Sequence, residues 1–299
     1  MEKNHGEQKN GFYLPKRVKT IHDREVITRH AGELIQHDSS YHRWSPYITE
    51  KFYLITSLDD LFYADITEKE SSWAHIVALE HVCTRYGLPL SCYVDNHAMF
   101  RFLEKRDTVW TKHHLKTDEA DPQWKQVLQD LRVRVTYALS PQAKGKIERP
   151  YRWLQDRIVR TCARENVRDI AQIREILFYE VKRYNEHQLH STTGEIPVIR
   201  FEKALDEGKN LFRPFKLPFP YESTRDIFCL RDTRTTDAYR KISLNGIEFR
   251  VPGVDPHEKI DLKMVPDQET GLTEIRFWHS GKLMSTQKIK TSDPARVRF

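Results

Sequence analysis

Residues 34–66 carry a pattern of apolar and polar positions that predicts neighbouring β-strands. Residues 34–38 form a short strand pattern that ends in an acid, Asp38, and residues 52–60 form a second one rich in β-forming side chains. Residues 61–66 continue as the hairpin partner of the second strand. The pattern therefore predicts a sheet whose first strand ends in a carboxylate.

A helix and a further strand follow this hairpin. Ser71 or Ser72 is a suitable N-cap, apolar positions then recur at helical spacing, and residues 87–89 (Gly-Leu-Pro) form a stop signal. Residues 91–95 are a short buried strand that again ends in an acid, Asp95. Strands that alternate with helices are typical of an α/β sheet.

The middle of the chain predicts a helix around 124–131, a strand at 133–139 and a later helix over about 169–187. Between the last two lies one apolar stripe, which predicts a continuous amphipathic helix. Its members are Ile147, Tyr151, Leu154, Ile158 and Cys162. Because proline fits only the first turn of a helix, Pro150 indicates that this helix begins at about residue 147.

Strand patterns alone occupy the last quarter of the chain. Residues 206–220 are rich in proline and glycine, as in a linker, and Asn245-Gly246 between two short apolar runs is a strong hairpin signal. We expect four regions along the chain. They are a basic N-terminal arm (1–30), an α/β core (31–205), a linker (206–230) and a small C-terminal β-barrel (231–299).

Composition and charge narrow the class of protein. The 299 residues are 31% charged and 38% hydrophobic, as in a soluble folded protein of about two domains. No apolar run approaches the roughly 20 residues that span a bilayer, and the polar N-terminus lacks a signal-peptide pattern, so we expect a cytoplasmic protein without a membrane partner. The four cysteines occur singly, which argues against a disulfide scaffold or a cysteine zinc site. The net charge of +6 favours a polyanionic partner.

Three acids occupy positions at which an α/β sheet binds ligands. Asp38 and Asp95 end strands, and Glu148 lies where the amphipathic helix begins. Converging carboxylates would repel one another unless a cation joined them. Oxygen ligands suit Mg²⁺ or Mn²⁺, and two such ions clamp the oxygens of a phosphodiester displacement. Position alone leaves a second interpretation open, in which each acid is a solvated strand end or helix cap.

The sequences around these acids follow one another in a characteristic order. Residues 32–40 read Gly-Glu-Leu-Ile-Gln-His-Asp-Ser-Ser, residues 93–100 read Tyr-Val-Asp-Asn-His-Ala-Met-Phe, and residues 140–149 read Ser-Pro-Gln-Ala-Lys-Gly-Lys-Ile-Glu-Arg. Together they resemble the three acidic motifs of DDE transposases of the retroviral-integrase type. The likeness is strongest to bacterial insertion-sequence transposases with an integrase catalytic core. It covers about residues 31–205, and the third motif is the most specific.

This resemblance implies a ribonuclease-H-like α/β core, with a mixed sheet and helices on both faces, followed by a small β-barrel. It implies that Asp38 bridges two ions, Mg²⁺ or Mn²⁺, and that Asp95 and Glu148 each hold one. These ions would activate water for nicking element ends and then a DNA 3′-hydroxyl for joining them to target DNA. The implied partners are double-stranded DNA and further copies of the chain. The implied location is the bacterial cytoplasm, at the nucleoid when the protein acts.

The second motif departs from the usual pattern. It usually reads Asp-Asn-Gly-Ser or similar, whereas His97 and Ala98 follow Asp95-Asn96 here, and we do not interpret this as inactivation. Two alternatives stay open. One is a non-catalytic DNA-binding relic, which the presence of all three acids disfavours. The other is a ribonuclease-H-type nuclease, which the third motif and the C-terminal β-structure disfavour.

Basic residues are concentrated beside the third acid. Eight bases and three acids lie between Lys144 and Arg168, a run that is usually a solvated helix face but that beside a metal site favours phosphate binding. The residues expected to bind DNA are Lys144, Lys146, Arg149 and Arg152. Near the first acid, the aromatic residues either stack on an unpaired base or pack in the core. These are Tyr41, His42 and Trp44.

The expected N-terminal arm lacks the features of an end-recognition module. Residues 1–30 contain no CxxC pair and are too short and too interrupted by glycine and proline for a three-helix unit. We therefore expect a truncated product or a single functional part. Its DNA contacts would be mostly with phosphates, with weak discrimination between element ends and random duplex.

Overall fold

The computed structural model describes most of the chain from residue 28 onward. The described ranges are 28–95, 122–137, 145–190, 193–244 and 246–290, with the backbone alone at 8–9, 12–13 and 145–149. Within the expected N-terminal arm, β1 (Gln8–Lys9) and β2 (Phe12–Tyr13) pair antiparallel. The remaining arm residues up to 27 lie outside the described part.

Five strands form the central sheet, in the order β5-β4-β3-β6-β7. The first three in the chain are an antiparallel meander, whereas β6 and β7 extend the sheet in parallel from β3. The strands are β3 (Ile35–His42), β4 (Phe52–Leu58), β5 (Phe62–Thr67), β6 (Ser91–Val94) and β7 (Arg134–Tyr137). The prediction that the first strand ends at Asp38 is wrong: Asp38 lies in the middle of β3, because pairing with β4 continues the strand to His42.

Helices cover both faces of this sheet. The apolar sides of α1 and α2 pack on one face through Ile76, Leu79 and Trp124, and α3 and α4 pack on the other through Ile158 and Leu177. The helices are α1 (Ser72–Tyr86), α2 (Gln123–Asp130), α3 (Gly145–Arg164), α4 (Ile170–His187) and α5 (Pro197–Asp206). The predicted mixed sheet with helices on both faces is confirmed, and it is the arrangement expected of a ribonuclease-H-like core.

Two helix boundaries can be compared with the sequence pattern. Ser71 caps α1, since its Oγ accepts a hydrogen bond from the Ala74 amide at 3.2 Å, and Gly87 ends that helix with a positive φ of 102°. α3 begins at Gly145, two residues before the expected start, so that Pro150 lies inside the helix. Proline removes one backbone hydrogen bond there, and the apolar stripe that follows it packs the helix onto the sheet.

The C-terminal region is all β-structure. A four-stranded antiparallel sheet has the order β13-β12-β11-β8, and a hairpin of β9 and β10 adjoins it. Leu244 pairs with Ile247 across the predicted two-residue turn. The strands are β8 (Leu230–Thr235), β9 (Lys241–Leu244), β10 (Ile247–Arg250), β11 (Lys259–Asp267), β12 (Leu272–His279) and β13 (Lys282–Lys290). Closure into a barrel stays a prediction.

The C-terminal strands share a core with α1 and α2. Phe249 and Phe277 belong to the same buried cluster as Trp124. The Gln123 side chain also forms two hydrogen bonds with the backbone of Arg231, at 2.7 and 2.8 Å. The C-terminal sheet is therefore attached to the helical layer by both apolar packing and polar contacts.

A buried polar network centred on Asp226 connects residues of the C-terminal region. The fully buried Asp226 accepts hydrogen bonds from Arg276 Nε at 2.5 Å and from Trp278 Nε1 at 3.1 Å. Lys263 Nζ donates to the backbone oxygen of Asp226 at 2.5 Å and lies 3.6 Å from the centroid of the Tyr221 ring. Burial lowers the pKa of the Lys263 ammonium to about 8.

Candidate active site

The parallel pairing of β3 and β6 brings the first two acids together. Ile35 pairs with Cys92 and Gln36 with Tyr93. The same register carried two residues further sets Asp38 beside Asp95, which directly follows the end of β6. Both acids are half-buried at the edge of the sheet where β6 ends, and each has interaction partners there. An α/β sheet binds its ligands at this edge.

The start of α3 lies against the same part of β3. Tyr151 Oη is 2.6 Å from Thr56 Oγ1, and Thr56 Oγ1 donates to the backbone oxygen of Asp38 at 3.3 Å. One turn further, Gln155 Nε2 donates to Ser40 Oγ at 3.4 Å. The helix therefore runs along β3 in the direction of the strand, with Tyr151 at the level of Asp38.

Glu148 precedes Tyr151 by three residues in α3, which places the two positions on one helix face a single turn apart. The backbone of the third predicted acid thus lies at the crevice of Asp38 and Asp95. Its side chain lies outside the described residues, as do those of Lys146 and Arg149. The structure brings two of the predicted acids together by strand register and places the helix that bears the third beside them.

Burial and the carboxylates at the crevice change the pKa of the Tyr151 phenol. Burial raises the pKa of Tyr151 well above its ordinary value, and the carboxylates of Asp38, Asp95 and Glu70 raise it further. The hydrogen bond between Tyr151 and Thr56 acts in the opposite direction. Tyr151 therefore stays protonated at neutral pH and adds no further negative charge to the site.

Gln36 is a buried residue of this site that the sequence did not reveal. Its side chain is 1% exposed, and among the residues that the structure describes neither Nε2 nor Oε1 has a hydrogen-bond partner. Gln36 precedes Asp38 by two residues in β3, so both side chains belong to the same face of the sheet. A buried amide without partners is rare, and it indicates a position where an absent water, ion or ligand would be bound.

The opposite face of β3 carries a chain of polar contacts. His37 Nδ1 is 2.8 Å from Ser57 Oγ, and His37 Nε2 is 2.8 Å from His75 Nδ1 on α1. His75 Nε2 is 3.2 Å from Glu70 Oε1, which also accepts a hydrogen bond from Ser39. These contacts fix the residues on both sides of Asp38 to α1. Their sequence signal, a histidine within the apolar face of a helix, does not by itself predict such a network.

Two further acids, which directly follow β4, have structural contacts. Asp59 accepts a hydrogen bond from the Gly32 amide. Asp60 forms an ion pair with Arg200 of α5, with 2.9 Å between Oδ1 and Nε. Both join the end of β4 to neighbouring segments of the core.

The basic side of α3 is described from Arg152 onward. Arg152 is exposed, Arg157 lies 4.6 Å from the centroid of the Trp153 ring, and Arg160 pairs with Asp156 at 2.8 Å. Lys144 lies outside the described residues, so the group of four predicted DNA-binding residues is described at Arg152 alone. DNA binding by all four residues stays a prediction.

Within the described side chains, no group of three or more histidines, cysteines, aspartates or glutamates is arranged to hold a metal ion. Glu148 is outside that set. Among the helices of the described part, none is long and apolar enough to cross a membrane.

The chain has sequence relatives among bacterial transposases. It is 28% identical over 233 residues to the putative transposase y4bF of Sinorhizobium fredii, covering 76% of this chain and 46% of that protein. It is 23% identical over 235 residues to the transposase for insertion sequence IS1202 of Streptococcus pneumoniae, covering 72% and 48%. The chain spans about half the length of these curated relatives. The resemblance to transposases carried by the acidic motifs is confirmed by both.

The catalytic core domain of BIV integrase is among the solved structures that superpose on this chain. The two chains superpose with a TM-score of 0.42 at 17% identity, over 60% of this chain and 99% of that one. No protein-family model matches the chain.

Proposed function

We propose that this chain, a relative of bacterial transposases, is the catalytic part of a DDE transposase that cuts element ends and joins them to target DNA. The observation that carries the proposal is the register of β3 and β6, which sets Asp38 beside Asp95 where α3 begins. The pairing of two strands does not by itself require acids at the paired positions. Here the paired positions are two acids, and the helix that bears a third acid begins beside them. The proposed catalytic residues are Asp38, Asp95 and Glu148.

The residues present fit a divalent cation. Carboxylate oxygens are the ligands that Mg²⁺ and Mn²⁺ prefer, and the orphaned amide of Gln36 belongs to the same face as Asp38. We propose that two such ions would be held by Asp38, Asp95 and Glu148. Bound there, such ions stabilise the negative charge on the attacking and leaving oxygens of a phosphodiester.

The remaining groups of the site orient and bind. Thr56 and Tyr151 hold the backbone at Asp38, and the raised pKa of Tyr151 keeps its hydroxyl neutral. The four basic residues of the third motif and the helix that follows it bind the phosphates on either side of the cleaved bond. Those residues are Lys144, Lys146, Arg149 and Arg152. Their charge orients the DNA without selecting its sequence.

The proposed partners are double-stranded DNA, both element end and target, and further copies of the chain assembled on that DNA. The +6 net charge supports a polyanionic partner. The proposed place of action is the bacterial nucleoid.

Nicking of a supercoiled plasmid tests the function without knowledge of the terminal repeat. In Mg²⁺ or Mn²⁺ the wild-type chain should convert the plasmid to open circles. Asp38→Asn, Asp95→Asn and Glu148→Gln should each abolish nicking while leaving folding and DNA binding in place, because each removes a ligand charge at nearly constant volume. Asp156→Asn, an exposed acid two turns along the same helix, is the matched control and should nick normally.

The outcomes separate the alternatives. Near-wild-type nicking by any one of the three variants would remove that residue from the catalytic set. A wild-type chain that binds DNA but nicks none would be a non-catalytic relic. Degradation of an RNA–DNA hybrid in preference to duplex DNA would indicate a ribonuclease-H-type nuclease.

A further inference from the structure

A cleft of about 570 Å³ lies between the α/β core and the C-terminal sheet. One wall is the face of α1 that bears Trp73, Val77 and Glu80, together with the end of β5. The other wall is the turn between β11 and β12 and the start of β12. Part of the lining is apolar, since Phe228 and Leu272 contribute to it beside Trp73 and Val77. The volume is in the range of ligand-binding pockets, about 300–1,000 Å³.

The lining of this cleft is acidic, although the chain as a whole is basic. Five acids and three bases line it, whereas the net charge of the chain is +6. Two of these bases already form ion pairs with acids of the lining, namely Arg174 with Asp65 and Arg225 with Glu274. Within the described part of the chain, Glu80 and Glu269 form no ion pair. The acidic cleft therefore attracts cationic groups and repels the phosphates of DNA.

The segment that follows β13 leaves the C-terminal sheet at the edge of the acidic cleft. Lys290, the last residue of β13, pairs with Leu272 of the lining, and Lys288 lines the cleft itself. Residues 291–299 read Thr-Ser-Asp-Pro-Ala-Arg-Val-Arg-Phe and lie outside the described residues. Nine residues of extended chain reach about 30 Å, so the last four have the length to enter the cleft.

We propose that residues 296–299 bind in the acidic cleft, with Arg296 and Arg298 facing Glu80 and Glu269. Successive side chains of an extended segment point to opposite sides, so the two apolar residues of this segment would then contact the apolar part of the lining. Charge complementarity favours this occupant over DNA. The bound segment would connect the end of β13 to α1. The inference goes beyond the catalytic function proposed above and does not depend on it.

Photo-crosslinking within the full chain tests the proposed contact. p-Benzoylphenylalanine takes the place of Phe299, and irradiation joins it to the groups beside it. Mass spectrometry of the digested monomer should find the crosslink on α1 or on the turn between β11 and β12. The same group in place of Tyr239, which is exposed between β8 and β9, is the matched control and should not crosslink to these two elements. No crosslink from position 299 to these elements, or a crosslink that joins two chains, would overturn the proposal.

Charge reversal shows whether the acids hold the segment. Glu80→Lys together with Glu269→Lys should lower the crosslink yield about tenfold, because two attractive pairs become repulsive. Adding Arg296→Glu and Arg298→Glu to that protein should restore the yield, which a misfolded protein would not allow. Glu202→Lys changes an exposed acid of α5 and should leave the yield unchanged. A yield that does not respond to reversal of the cleft acids, or that the compensating changes fail to restore, would contradict the assignment.

Discussion

Gln36 allows a test of whether the crevice of Asp38 and Asp95 binds a ligand. Burial of its amide lowers the stability of the folded protein in the absence of that ligand. The side chain is 1% exposed between Leu58 of β4 and Tyr93 of β6, and within the described part of the chain its amide nitrogen and oxygen have no hydrogen-bond partner. We therefore consider Gln36→Met, which keeps an unbranched side chain of similar length and removes both polar groups. The substitution should stabilise the protein in the absence of divalent cations.

The magnitude follows from the desolvation of the amide. A buried polar group without a partner costs about 1–3 kcal/mol, and an apolar replacement of similar shape removes that cost. Gln36→Met should therefore raise the free energy of unfolding by about 1–3 kcal/mol. For a protein of this size, each 1 kcal/mol corresponds to a rise of about 2–4 °C in Tm.

Urea unfolding in EDTA provides the measurement. Gln155→Met is the matched control, because the Gln155 amide lies at the same contact of α3 with β3 but donates to Ser40 Oγ at 3.4 Å. This control should leave stability unchanged or lower it slightly. If Gln36→Met unfolds at the same urea concentration as wild type or a lower one, the amide has a partner in solution and the reasoning is refuted.

A second measurement links the amide to the ligand. A cation that binds only the folded protein stabilises it in proportion to its occupancy. Added Mg²⁺ or Mn²⁺ should therefore stabilise wild type more than Gln36→Met if the amide faces the bound ligand. Equal stabilisation of the two proteins would place Gln36 outside the ligand's reach.

Three further predictions concern the C-terminal attachment and the basic helix. Asp226→Ala should lower the free energy of unfolding by about 3–5 kcal/mol in a denaturation measurement, because it breaks a buried ion pair and leaves Arg276 with Glu274 as its remaining partner among the described residues. Because the folded pKa of Lys263 is about 8, below its unfolded value, the stability of wild type relative to Lys263→Met should rise between pH 8 and 10.5 in urea titrations; a constant difference would contradict this. Simultaneous removal of three bases should reduce the slope of log affinity against log salt concentration by about 0.9 per lost phosphate contact. An unchanged slope would mean that these bases form a solvated face that does not contact DNA. These bases are Lys144, Lys146 and Arg152.

The positions of the acids are predictable from local sequence. Asp95 directly follows a short apolar strand and Asp38 comes at the end of another apolar run, and strands joined through a helix pair in parallel, which brings the two acids to one edge of the sheet. Glu148 directly follows Ile147, where an apolar stripe of helical period begins, so its helix is also predictable. The preference of proline for the first turn predicts a start two residues late, because it does not account for the packing of the helix after Pro150.

Other parts of the site depend on contacts between residues distant in sequence. The His37 and His75 contact joins a strand to a helix 38 residues later, and neither residue type specifies a partner. Gln36 has no hydrogen-bond partner among the described residues because of the strands that pack beside it, β4 and β6, which are distant in sequence. The contact of Gln123 with Arg231 crosses 108 residues, and no periodic pattern encodes it. Local propensity predicts the elements, whereas these contacts arise only when the elements pack.

The central claim is that Asp38, Asp95 and Glu148 surround one cation-binding crevice. Calorimetric titration of Mn²⁺ into the metal-free protein, with and without bound duplex DNA, tests it most directly. We predict that Asp38→Asn, Asp95→Asn and Glu148→Gln each weaken or abolish Mn²⁺ binding, whereas Asp156→Asn binds Mn²⁺ as wild type does. Unchanged Mn²⁺ affinity in the three variants would contradict the claim.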